Sequence, residues 1–117
     1  MTTKHKTRPA LAALALALAP FVAPSAASAA DAAEAQKLAR QNNCLKCHSV
    51  DKAKAGPAFK EVAAKYKSNK DAEAILIKHL TSGPKVKTAD GSEETHPIIK
   101  AKTPDDTKNL VGWILSL

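Results

Sequence analysis

Aromatic residues are scarce in this chain: two Phe, one Tyr and one Trp among 117 residues, 3% of the total. A short chain so poor in large apolar rings has little with which to build a core of its own. Methionine occurs once, at Met1, and cysteine twice, at Cys44 and Cys47. No second Cys or His pair stands at the spacing a structural zinc site needs. Long apolar runs are also missing. The best candidate, Ala10 to Ala23, is broken by Pro20 and falls short of the about 18 residues that a spanning helix requires. No segment sustains the polar–apolar alternation of a strand, so the expected fold is all-α.

What the first residues do contain is the pattern of an export signal. Lys4, Lys6 and Arg8 form a basic start, the Ala/Leu-rich stretch follows, and Ala27-Ser28-Ala29 supplies small residues for cleavage. Residues 1–29 are therefore expected to be a cleaved signal peptide, and residues 30–117 one mature domain in the periplasm with no membrane anchor. Removal takes Met1, and with it every methionine. It also takes three of the 18 basic residues and none of the 11 acidic ones, which lowers the net charge from +7 to +4. The basic balance is thus partly a property of the leader, and nucleic acid is not an expected partner.

Both mature cysteines lie in one motif, Cys44-Leu45-Lys46-Cys47-His48. A disulfide or a thioredoxin-like redox pair would use the two thiols but would leave the adjacent His48 unexplained. Two thiols separated by two residues and followed at once by an imidazole are what covalent attachment of a c-type haem requires. The sulfurs add to the vinyl groups as thioethers, and the His becomes the proximal iron ligand. An exported chain is also where such attachment is expected. A covalently fixed haem would supply the apolar volume that the missing aromatics do not, stapling a domain too small to stand on its core alone.

The helical pattern is short and well punctuated. Asp31 to Asn42 carries Ala35, Leu38, Ala39 and Asn42 at helical spacing, with Asn42-Asn43 as its stop. Phe59 to Lys67 places Phe59, Val62, Ala63 and Tyr66 a turn apart, and Asp71 to Thr81 ends at Ser82-Gly83-Pro84. Thr103-Pro104-Asp105-Asp106 is a helix start with a Thr cap and Pro in the first position. The stripe Leu110, Trp113, Ile114 and Leu117 follows. Gly112 lowers helix propensity there, and close approach of the first helix at Ala35 and Ala39 is the expected reason for it.

About four helices, a haem motif after the first and a Trp in a well-capped last one make the chain resemble the small bacterial class I c-type cytochromes. The specific parts are Cys44 to His48, Lys54-Ala55-Gly56-Pro57-Ala58-Phe59, Asp71-Ala72-Glu73-Ala74 and Leu110-Val111-Gly112-Trp113-Ile114-Leu115. The resemblance implies a small cytochrome c-type fold around one covalent haem c. It also implies that the Pro57 carbonyl holds Nδ1–H of His48. Phe59 and Trp113 are expected to pack on the haem.

In one respect the chain departs from that family, whose members usually place a Met before the last helix as the distal iron ligand. Thr95-His96-Pro97 stands at that place, so His96 is the expected sixth ligand, with His79 as its rival. An open, water-bound or Lys/Asn-bound site is the third alternative. Bis-imidazole iron has a lower potential than His/Met iron and leaves no vacancy for substrate. The expected function is that of a one-electron carrier rather than an enzyme, with redox proteins as partners. The alternative is a haem protein with an open distal site that binds small gases, or a haem subunit of a periplasmic redox enzyme. Lys46, Lys52, Lys54, Lys60, Lys65, Lys67 and Lys70 crowd the sequence around the motif, where they could steer an acidic partner to the haem edge.

Overall fold

The computed structural model describes Thr2 and residues 30–117, so the expected leader, apart from Thr2, lies outside the described residues. Helix α1 spans Ala32–Gln41, and the carboxylate of Asp31 caps it by accepting Glu34 N–H at 3.1 Å. Its stop is the expected one. Asn43 sits at φ 55°, in the left-handed region that Asn tolerates better than most residues. The single turn α2, Cys44–Cys47, follows directly, then α3, Phe59–Tyr66, and α4, Ala72–Ser82. Gly83, at φ 59°, closes α4 in the left-handed conformation for which glycine is suited.

The last helix, α5, spans Pro104–Leu115 and begins as its sequence prescribes. Thr103 Oγ1 accepts Asp106 N–H at 3.3 Å, and the Asp106 carboxylate accepts Thr103 N–H at 2.9 Å. This helix is the centre of the fold. It packs against α1, α3 and α4, and its Leu110 and Val111 are fully buried. Complete burial of one such leucine is worth about 2 kcal/mol.

The face that α1 offers to α5 is made of alanines. Ala35 and Ala39 are fully buried, and their small side chains let the two helices pack closely. Gly112, by contrast, is not imposed by that approach. A Cβ built on it would stand 3.5 Å from Cβ of Ala30, an ordinary contact, so the helix has room there for a methyl group. The start of the domain is tied to α5 by an amide clasp. Asp31 N–H donates to Asn109 Oδ1 at 2.7 Å, and Asn109 Nδ2 donates to the Asp31 carbonyl at 2.9 Å.

The mainly helical fold carries one addition that the alternation rule does not reveal. Strands β1, Lys85–Lys87, and β2, Glu93–Thr95, form an antiparallel hairpin with Lys85 opposite Thr95 and Lys87 opposite Glu93. Three residues are too few to display a period of two. The turn between them is built on Asp90, whose carboxylate accepts Thr88 Oγ1–H at 2.6 Å, Ser92 Oγ–H at 2.7 Å and Ser92 N–H at 2.9 Å. Gly91 takes the left-handed position at φ 87°.

Those three donors hold the Asp90 carboxyl down from 3.8 to about 2, the Thr88 hydroxyl contributing most. A depressed carboxyl stabilises the folded turn above pH 3.8, and that contribution is lost as pH falls through about 2. NMR titration should therefore find Asp90 the most acidic carboxyl of the loop, with Thr88→Val moving it up towards 3.8. An Asp90 that already titrates near 3.8 in the unmodified protein would contradict the turn described.

Candidate functional site

His48 leaves α2 with extended backbone, φ −121° and ψ 152°, which turns its ring away from the helix that carries the two cysteines. The ring is then held from three sides. Nδ1 lies 2.7 Å from the Pro57 carbonyl, and since a carbonyl only accepts, Nδ1 must carry the proton and Nε2 the free lone pair. Phe59 stacks on the ring at 5.1 Å between centroids and 19° between planes. Gly56 lies against it so closely that an added Cβ would come within 2.6 Å of Cε1 and 2.9 Å of Nδ1. Gly56 N–H in turn donates to the Cys47 carbonyl at 2.7 Å, which fixes this loop to the cysteine turn.

Burial pushes the His48 pKa below its ordinary 6.5, with the Pro57 bond opposing that shift, so the ring is neutral at pH 7. Both properties suit a metal ligand. Cys44 is half-buried beside it and Cys47 exposed, and burial raises the Cys44 thiol above its ordinary range. Trp113 meets Phe59 edge-on at 5.7 Å and supports it from the core. It does not line the cavity that the other expected residues share.

That cavity measures about 440 Å³, the size of a cofactor site. Cys44, Cys47 and His48 stand on one wall. Val62, Leu76, Leu80, Leu110 and Ile114 supply apolar surface from α3, α4 and α5, and residues 94–99 close the opposite side. The closing segment is anchored by His96 N–H to the Pro84 carbonyl and by Ile99 N–H to the Leu80 carbonyl, both at 2.8 Å.

His96 projects into this cavity, its ring centroid 6.2 Å from that of His48. Like His48, it offers Nδ1 to a proline carbonyl, here Pro97 at 2.9 Å, and keeps Nε2 free. His79 also lines the cavity, from α4, and meets His96 at 4.5 Å between centroids with the rings 63° apart. Burial, then the neighbouring imidazoles, lowers the His79 pKa. The sequence offers His79 as the rival of His96, and the structure sets the two rings side by side. A flat apolar macrocycle attached at one rim by two thiols, with its metal beside His48, fits these walls and donors.

Residues 32–117 match the family model described as cytochrome c. The chain belongs to the cytochrome c family. As a member it carries one covalently bound haem c and serves in electron transfer, exchanging electrons with redox protein partners. This cytochrome is 36% identical over 83 residues to cytochrome c-551 of Pseudomonas denitrificans, covering 70% of this chain and 95% of that one. It is similar in structure to the class 1 cytochrome MtoD of Sideroxydans lithotrophicus ES-1: TM-score 0.72 and 57% identity, over 75% of this chain and 97% of that one. Wild-type cytochrome c552 of Nitrosomonas europaea gives a TM-score of 0.58 at 34% identity, over 70% and 98%. Among the described residues, no helix of the cytochrome is long and apolar enough to cross a membrane.

The contact beneath His48 gives a direct test of the site. Gly56→Ala forces the ring or the loop to move, at a cost of about 1–3 kcal/mol for such overpacking. Guanidinium unfolding of the holoprotein should show that loss, and an unchanged midpoint would mean that Gly56 does not support the ring.

Proposed function

We propose that the haem is attached through Cys44 and Cys47, that His48 is its proximal ligand and that His96 is its distal ligand. The spacing of the two rings carries this reading. A metal–imidazole bond of about 2 Å on each side, with roughly 1 Å more from nitrogen to ring centre, separates two axial imidazole centroids by about 6 Å. His48 and His96 stand at 6.2 Å. His79 stands against His96, 4.5 Å between centroids.

When bound, the haem supplies a one-electron Fe(III)/Fe(II) couple. The chain's own residues set its conditions. Pro57 and Pro97 take the Nδ1 protons of the two histidines, which orients both rings and makes each Nε2 a stronger donor. Two imidazoles favour ferric iron more than an imidazole and a thioether do, so the potential is lower than that of His/Met relatives. With His48 and His96 both bound to it, the iron would offer no vacant position, which would suit outer-sphere transfer rather than substrate chemistry.

Partners dock, in this reading, at the rim where Cys47 is exposed and where Lys46 and Lys54 stand, with Lys65 and Lys87 on the cavity wall. The charge steers an acidic partner surface to that edge. The chain is exported to the periplasm, and its leader is cut after Ala29. Ala30 packs against the core and Asp31 is clasped by Asn109, which supports a mature chain that keeps residue 30. Mass analysis of the exported protein should show Ala30 as its first residue, and a start at Asp31 would contradict this.

The ligand assignment is tested by optical and EPR spectra of the ferric protein. The unmodified protein and His79→Ala should be low-spin and His96→Ala high-spin. An unchanged spectrum in His96→Ala would remove His96 from the iron.

A further inference from the structure

Asn42 does not belong to the haem motif or to the distal loop, yet it joins the two. Its side chain lies at the end of α1, two residues before Cys44, and is half-buried at the cavity. Nδ2 donates to the Lys100 carbonyl at 3.0 Å, and Oδ1 accepts Lys100 N–H at 2.7 Å. The second Nδ2 proton goes to the Leu38 carbonyl at 3.0 Å, inside α1. The amide is thereby fully engaged and held in one orientation.

Lys100 lies four residues beyond His96. The segment between β2 and α5 contains no helix or strand; Ile99 packs against the core, and separate hydrogen bonds fix the rest. His96 N–H to Pro84 and Ile99 N–H to Leu80 tie it to the α4 side of the cavity. Asn42 ties it to the opposite side, to the end of α1 that leads into the cysteine turn. A loop fastened on one side can swing about that side, whereas one fastened on both cannot. The separation of the two cavity walls, and hence that of His96 from His48, depends on the second attachment.

We infer that Asn42 is the positioning residue of the distal ligand: its paired hydrogen bonds to Lys100 hold the loop that carries His96 closed over the iron. The inference rests on His96 being that ligand. Loss of the clasp leaves both thioethers and the proximal bond in place, and selectively increases the time that the distal imidazole spends off the metal. A competing ligand then gains access in proportion to that open population.

The molecule supplies its own control. Asn109 makes a clasp of the same kind with the backbone of Asp31, on the side of α5 that meets α1. Asn109→Ala removes two hydrogen bonds, neither of them to the distal loop. Carbon monoxide binding to the ferrous holoprotein is the readout. The apparent association rate should rise about tenfold or more in Asn42→Ala, and remain within about twofold of the unmodified protein in Asn109→Ala, at similar losses of thermal stability. Asn42→Asp keeps the acceptor for Lys100 N–H and loses both donors, so its rate should fall between those of Asn42→Ala and the unmodified protein.

Equal rates in Asn42→Ala and the unmodified protein, or an equal rise in both alanine variants, would reduce Asn42 to a structural residue and overturn the inference. Failure of the underlying ligand assignment looks different. The unmodified protein would then bind carbon monoxide as fast as His96→Ala, and the inference would fall with that assignment.

Discussion

The contact between the His48 ring and the loop of Gly56 and Pro57 is the constraint on which the site depends. It works by exclusion as much as by attraction. The ring occupies space that any side chain at position 56 would fill, and its Nδ1 proton is taken by a carbonyl that has no choice of role. The tautomer, the tilt of the ring and the direction of Nε2 follow together. Phe59 and, behind it, Trp113 transmit that position into the core, where Leu110 and Val111 of α5 are fully buried. Phe59 and Trp113, two of the four aromatics, thus form one chain of contact from the His48 ring to the central helix.

The opposite face of the cavity is built on a different principle. His96 sits on a segment without regular structure, fixed by separate hydrogen bonds to Pro84, Leu80 and Asn42. One imidazole is set by packing and the other by a few attachments. Such a division gives one cavity wall fixed by packing and another whose position rests on single side chains. The proline carbonyl recurs on both sides, at Pro57 and at Pro97, and leaves both imidazoles in the same tautomer.

Much of this was legible in the sequence because it was local. The attachment motif is contiguous, the caps at Asp31 and Thr103 sit beside the helices they start, and Gly83 stops α4 one residue after its end. The lack of methionine after Met1 directed attention to His96. What escaped was short or distant. Strands of three residues show no alternation, and the Asn42–Lys100 pair spans 58 residues with nothing in either residue to announce the other. Asn42 marks only a helix stop in the sequence, and nothing there places His79, the rival ligand, against His96. Gly112 was read as a close-packing glycine, but the neighbouring helix leaves room for more than a hydrogen there.

Met1 is the one methionine of the chain, and we propose that the iron of this cytochrome c is held between two imidazoles. A crystal structure of the ferric holoprotein tests it most directly. Iron is expected about 2 Å from Nε2 of both His48 and His96, with each Nδ1 still bonded to its proline carbonyl. Water, His79 or a lysine in the sixth position would contradict it.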